Sequence, residues 1–110
     1  MKIKIKTMIA YNEIKKYPQE ISDELLAAVN ILKNEGAKKV ILFGSLAKKK
    51  FKNQSDIDLA CEGVDDRKFF RVFGKLLLQI KRPLDLIDMK DADDFFASRV
   101  KEEGIILYEE

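Results

Sequence analysis

Histidine is absent from this chain of 110 residues, and cysteine occurs only once, as Cys61. Without histidine the chain cannot build a Ser-His-Asp or Cys-His catalytic arrangement, or a histidine-ligated metal centre. A single cysteine excludes an intrachain disulfide and favours a reducing cytoplasm as the location. Any metal that this chain binds is therefore expected to be a hard cation held by oxygen atoms.

Long apolar runs are also missing, so the sequence indicates neither a membrane span nor an export signal. The basic start "MKIKIKT" is followed by "MIAYNEIKKYP" rather than by an apolar segment with a cleavage site. The chain is 46% hydrophobic and 36% charged with a net charge of +2, which fits one soluble globular domain and argues against strong nucleic-acid binding. We expect a single domain over residues 1–110.

Hydrophobic periodicity predicts the α/β (α+β) class, with a mixed sheet of about four strands and helices packed on it. The predicted strands are 38–43, 56–61, 84–88 and 105–108. One helix starts at Ser22, a second lies between Gly63 and Pro83, and a third covers 91–103, while residues 1–16 stay open between strand and helix. Spacing predicts a buried apolar face for these helices, formed by Ile21, Leu25, Ala28, Val29, Leu32, Phe69, Phe70, Val72, Phe73, Leu76, Leu77, Ile80, Phe95, Phe96 and Val100.

Asp56 and Asp58 stand one residue apart inside an apolar strand, so both side chains project from the same face of the sheet. Two like charges held this close repel each other, unless a cation lies between them or one carboxylate keeps its proton. Asp91 and Asp93 have the same spacing, but that pair opens a predicted helix, where carboxylates cap free backbone N–H groups. Only the first pair lacks a structural explanation.

Three short motifs are expected to converge: Gly44-Ser45 after the first strand, Asp56 and Asp58 on the second, and Asp85 on the third. Carboxylates from adjacent strands can hold Mg²⁺, and three of them can bridge two ions. Two such ions can stabilise both the attacking and the leaving oxygen of a displacement at phosphorus. Gly44 would let a phosphate approach the backbone, and Ser45 would offer it a hydroxyl group. The residues therefore indicate phosphoryl or nucleotidyl transfer.

The sequence resembles the minimal nucleotidyltransferases (MNT) of the DNA polymerase beta-like superfamily. The stretch "GSLAKKKFKNQSDIDLA" is similar to the Gly-Ser and Asp-x-Asp signature, "LDLID" to the strand with the third aspartate, and "FFASRVKEEGIILYEE" to the family's ending. The resemblance extends from about Ile21 to Tyr108. It implies a polymerase beta-like nucleotidyltransferase fold.

Residue by residue, the resemblance implies that Asp56 and Asp58 ligate two Mg²⁺ ions. It makes Asp85 a ligand of the catalytic ion that also faces the acceptor hydroxyl, and it makes Gly44 and Ser45 the cradle for the triphosphate.

Two positions leave alternatives open. Asp88 competes with Asp85 for the third carboxylate, and we prefer Asp85 because apolar residues flank it inside the strand. Lys48 and Lys49 stand where relatives commonly have Arg and Gly. Lysine supplies charge but no bidentate fork, so Lys48 is expected to contact the triphosphate as a point charge.

For function, the resemblance implies Mg²⁺-dependent transfer of AMP from ATP to a hydroxyl acceptor. Minimal relatives are typically paired with a helical HEPN toxin, so this partner is expected, with the chain acting as its antitoxin. Transfer to an RNA end or to a small molecule such as an antibiotic is one alternative, and a catalytically idle, partner-binding antitoxin is another. Whether the chain forms a homo-oligomer stays open.

Overall fold

Five strands form one mixed sheet in the part of the chain that the computed structural model describes, residues 8–50 and 55–110. They are β1 (Met8–Ile9), β2 (Lys39–Phe43), β3 (Ile57–Glu62), β4 (Leu84–Asp88) and β5 (Ile105–Glu109). Their order across the sheet is β1-β5-β2-β3-β4. Strands β3 and β4 run parallel, and the other neighbours are antiparallel. The predicted class is confirmed, with one short strand more than expected; the alternating "KIKIK" lies outside the described residues.

The helices are α1 (Tyr11–Ile14), α2 (Gln19–Asn34), α3 (Gly44–Ala47), α4 (Phe69–Gln79) and α5 (Asp94–Glu103), with 3₁₀ turns at Asp66–Lys68 and Met89–Asp91. Within the described ranges, none of these helices is long and apolar enough to cross a membrane.

Different helices cover the two faces of the sheet. Helices α2 and α4 pack on the face that carries Leu42 and Leu59, and this layer holds the larger core. Helix α5 covers the other face, where Val100 packs with Ala60. Because side chains alternate along a strand, Asp58 lies on the same face as Ala60, the α5 face.

Two predicted helix starts are wrong, and the hydrogen bonds of the first turns show why. Helix α2 begins at Gln19, directly after Pro18, and the N–H of Ser22 donates to the Pro18 carbonyl at 2.8 Å inside the first turn. Helix α5 begins after Asp93, whose side chain accepts the Phe96 N–H at 2.8 Å. Of the aspartates at 91 and 93, only the second therefore caps this helix.

Burial follows the prediction for α2 but not for all the apolar residues of α4 and α5. The five predicted apolar residues of α2 are buried, and Cys61 is fully buried, which raises the pKa of its thiol to about 12. Phe70, Phe95 and Leu77, however, are 84%, 75% and 50% exposed. Their predicted burial is wrong because each side chain points away from the sheet on which its helix packs.

Candidate active site

Two of the predicted carboxylates lie side by side where the parallel strands begin. Asp58 of β3 is the register partner of Asp85 of β4. Asp58 is half-buried, while Asp85 is exposed. Asp56 is also exposed and precedes β3 by one residue, so the strand starts one residue later than predicted. The carboxylate pair therefore stands at an open edge of the sheet.

The Gly44 turn packs directly against one of these carboxylates. Gly44 follows β2 with a φ of +73°, in the left-handed region that favours glycine. A Cβ built at this position would lie 3.1 Å from the Cγ atom of Asp58 and would collide with its carboxylate. Ser45 comes next, half-buried in the short helix α3. Only glycine lets this backbone and the Asp58 carboxylate come so close.

The electrostatic environment of Asp58 is unfavourable to its charged form. Partial burial raises the pKa of Asp58 above its usual range, and the negative charges of Asp85 and Asp56 raise it further. Within residues 8–50 and 55–110, no lysine or arginine forms an ion pair with any of the three. The like-charge repulsion predicted from the spacing is thus present and uncompensated by the described part of the chain.

The oxygen atoms and the charges of these three carboxylates decide whether they could hold a divalent cation. Their donor atoms are all oxygens, the ligands that Mg²⁺ prefers, and the negative charges of Asp85 and Asp56 both act on Asp58. Among the described residues, however, no three acidic, Cys or His side chains are grouped tightly enough to form a metal centre. The residues fit a hard cation by chemistry and charge, and the exposed side chains of Asp56 and Asp85 would have to turn towards it.

Asp88, the rival for the third carboxylate, lies at the opposite end of β4. Its register partner is Cys61, and it is only 6% exposed. Its side chain accepts the N–H of Lys90 at 3.1 Å and pairs with the Lys90 Nζ at 3.3 Å. These contacts cap the 3₁₀ turn after β4, which gives Asp88 a structural role three residues away from Asp85.

Lys48 lies beside the Gly44 turn but already has an acidic partner. Its Nζ is 3.3 Å from Oε1 of Glu103 on α5, and the same oxygen is 3.5 Å from Arg99. The Lys48 hydrogen bond is the main cause that lowers the pKa of Glu103. A triphosphate that binds Lys48 would have to share it with Glu103. Sequence reasoning missed Glu103, because 55 residues separate the pair along the chain.

Lys49 has a φ of +61°, at the position where the resemblance leads one to expect glycine. Its Nζ lies 4.0 Å from the ring centroid of Tyr17, and the Tyr17 hydroxyl donates to the Leu46 carbonyl at 2.7 Å. Tyr17 therefore contacts both α3 and Lys49, which lies two residues beyond the end of that helix. The sequence offered no signal for this contact.

A second contact that the sequence did not predict holds Ser55, the residue before Asp56. Arg82 donates from Nε to Glu24 at 2.6 Å and from Nη1 to the carbonyl of Ser55 at 3.3 Å. Burial by itself raises the pKa of Glu24, but hydrogen bonds from Arg82 and from the Lys81 N–H outweigh it and lower that pKa. The start of α2 is thereby joined to the residue before Asp56.

The sheet order, the glycine turn and the helices on both faces together form a polymerase beta-like nucleotidyltransferase fold. A model of the family described as Polymerase beta, Nucleotidyltransferase matches residues 26–110. This match covers well over half of the chain, so the chain belongs to that nucleotidyltransferase family.

Solved structures with this fold include a minimal nucleotidyltransferase, with a TM-score of 0.68 and 20% identity over 79% of this chain and 92% of that one. A toxin-antitoxin structure with AMP-PNP matches with a TM-score of 0.66 and 22% identity, over 80% of this chain and 73% of the other. A Shewanella oneidensis structure of a tri-AMPylated HEPN toxin with its MNT antitoxin matches with a TM-score of 0.60 and 21% identity, over 79% and 73%. No curated protein matches this chain.

Proposed function

We propose that this chain is a Mg²⁺-dependent nucleotidyltransferase that moves AMP from ATP to a hydroxyl group of a HEPN toxin, in the cytoplasm, and so acts as an antitoxin. The observation that carries the proposal is the contact between the Gly44 turn and the Asp58 carboxylate, opposite Asp85. A turn that can receive phosphate and a set of repelling carboxylates meet at one point, as nucleotidyl transfer requires.

Each residue has a role in this scheme. Asp56 and Asp58 would hold two Mg²⁺ ions, and Asp85 would hold one of them. When bound, these ions supply charge that stabilises the attacking and leaving oxygens at phosphorus. Gly44 and Ser45 cradle the triphosphate, and Lys48 adds a positive charge once the triphosphate competes with Glu103 for it.

Transfer exchanges one bond at the α-phosphorus for another. The acceptor oxygen forms a bond to the α-phosphorus of ATP, and the bond from that phosphorus to the α,β-bridging oxygen breaks. The acceptor proton passes to the Asp85 carboxylate, and pyrophosphate leaves along the Gly44-Ser45 turn. The products are an AMP ester of the acceptor and pyrophosphate, so no oxidant or reductant is needed.

A docked protein is the acceptor that suits this site best. Asp56 and Asp85 are exposed, so the site is open and offers few walls with which to orient a small molecule. Docking of a partner orients a hydroxyl, such as that of a tyrosine, before the reaction and removes the entropy of positioning. The AMPylated toxin among the similar solved structures supports this choice of partner and nucleotide.

Co-expression with a HEPN toxin from the same genome tests the proposal. Intact-mass analysis of the toxin is expected to show added AMP with the wild-type chain and none with Asp58→Asn. A toxin that is neutralised without added mass would leave the idle, partner-binding antitoxin as the function. Transfer of AMP to co-purified RNA instead of the toxin would favour the RNA alternative.

A further inference from the structure

The outer face of α4 carries an apolar surface that the core does not use. Phe70 is 84% exposed, Leu78 is 87% exposed and Leu77 is 50% exposed. With Gly74 these residues occupy positions i, i+4, i+7 and i+8, which form one stripe along a helix. We call Phe70, Gly74, Leu77 and Leu78 the α4 stripe. Exposed apolar side chains grouped in this way mark interaction surfaces.

Gly74 lies in the middle of α4, within the stripe. Glycine destabilises the interior of a helix relative to alanine, so a glycine there needs a reason. A Cβ built at Gly74 would meet no atom within 4 Å, so the described part of the chain supplies none. A missing side chain between Phe70 and Leu78 leaves a notch that lets another backbone or a large side chain come close.

The charged residues of the segment that contains α4 are all of one sign. From position 67 to position 82 the chain has six basic residues and no acidic one: Arg67, Lys68, Arg71, Lys75, Lys81 and Arg82. Four of them pair with acidic residues outside this segment: Arg67 with Asp65, Arg71 and Lys75 with Glu35 just after α2, and Arg82 with Glu24. The charged side chains beside the stripe, Arg71 and Lys75, are both basic and share the single carboxylate of Glu35, so a net positive charge remains there, which favours an acidic binding partner.

From these observations we propose that the α4 stripe is the docking surface for a helix of a partner protein, with an apolar face and acidic flanks. A second copy of this chain would bring basic flank against basic flank. An anionic lipid surface would match the charge but has no use for the notch at Gly74. The identity of the partner as the HEPN toxin rests on the proposed function; the surface does not.

The position of the stripe has a consequence for the antitoxin. Helix α4 packs on the sheet face that carries Leu59, whereas Asp58 lies on the opposite face. Docking and nucleotide transfer therefore use different surfaces. A variant of the carboxylate site can therefore lose transfer and keep docking.

Two synthetic helical peptides with the same leucine face, one flanked by Glu and one by Lys, test the surface on the full isotope-labelled chain by NMR titration. The Glu-flanked peptide should shift the amide signals of Phe70 to Leu78 and bind about tenfold more tightly. Phe70→Ser should weaken it about tenfold, whereas the matched control Phe95→Ser, an exposed phenylalanine on α5, should stay within about twofold. Gly74→Ala should stabilise the chain yet weaken binding, which a purely structural glycine would not do.

Equal binding of both peptides, or signal shifts away from α4, would overturn the proposal. A dimer that Phe70→Ser dissociates in sedimentation experiments would replace it with self-association. Phe70-dependent binding to phosphatidylglycerol vesicles would replace it with a lipid surface. In co-expression, Asp58→Asn should keep the toxin bound, whereas Phe70→Ser should release it. A toxin that Phe70→Ser retains would contradict docking at α4. A toxin that binds the wild-type chain but carries no AMP would contradict the proposed transfer and leave the docking surface intact.

Discussion

Two aspartate pairs of identical spacing lie in different surroundings in this chain. Asp93 accepts the Phe96 N–H at 2.8 Å and caps α5, so its charge meets a free backbone donor. Asp58 stands against the Gly44 turn, and burial with the charges of Asp85 and Asp56 raises its pKa. Asp93 of one pair therefore stabilises the fold, whereas the charge of Asp58 in the other pair opposes it. The same motif is therefore structural at a helix start and a candidate site at a strand start.

The largest expected difference between the two pairs is in activity. Asp58→Asn should lower the rate of AMP transfer by about a thousandfold or more, because it removes a ligand shared by both ions. Asp93→Asn should leave the rate within about twofold, since asparagine also caps helices. Single-turnover rates with the toxin as acceptor measure both. Similar losses in the two variants would break the distinction between the pairs.

A second pair of variants extends the comparison to the two ends of β4. Asp85→Asn should lower the transfer rate by about a hundredfold, because Asp85 lies opposite Asp58. Asp88→Asn should leave the rate within about threefold while lowering stability, since Asp88 is buried and caps a turn. Rates and melting temperatures of both purified variants decide this. A larger loss of rate for Asp88→Asn would move the third carboxylate to that residue.

Binding of Mg²⁺ should distinguish the two aspartate pairs even when no toxin is present. Binding to the folded chain alone stabilises it by about 1.4 kcal/mol at ten times the Kd. Thermal unfolding with and without Mg²⁺ should therefore show a rise in Tm for the wild type and for Asp91→Asn, and none for Asp58→Asn. An equal rise in all three would place the cation elsewhere.

The smallest effects are on stability without metal, and they have opposite signs. Asp93→Ala should cost about 1 kcal/mol of unfolding free energy through loss of the cap. Asp58→Asn should instead add a few tenths of a kcal/mol at pH 7, a small gain because solvent screens the half-buried group. Since the folded pKa of Asp58 is raised, its penalty is present above that pKa and disappears as the pH falls towards about 4, where unfolded aspartate titrates. Denaturant titrations at pH 7 and pH 4 measure both, and a loss of stability in Asp58→Asn would contradict the repulsion.

The parts of the fold that depend on local patterns could be predicted from the sequence. The apolar stripe of α2 and the central strands follow from side-chain periodicity, and the Asp56-Asp58 spacing identified the candidate site. Contacts between distant segments could not be predicted, since the local hydrophobic pattern carries no information on them. Arg82, for example, binds Glu24, which lies 58 positions earlier in the chain. The two-residue strand β1 likewise depends on pairing with β5 at the other end of the chain. Phe70 and Phe95 were misassigned because periodicity identifies an apolar position but not whether this chain covers it.

The central claim is that the site formed by Asp56 and Asp58 transfers a nucleotide. The most direct test compares two samples of ATP that carry a label at different phosphates. Purified chain, Mg²⁺ and toxin are incubated with ATP labelled at either the α- or the γ-phosphate. Label from the α-phosphate should appear on the toxin, label from the γ-phosphate should leave as pyrophosphate, and Asp58→Asn should transfer neither. Label from the γ-phosphate on the toxin, or undiminished α-label with Asp58→Asn, would contradict the account.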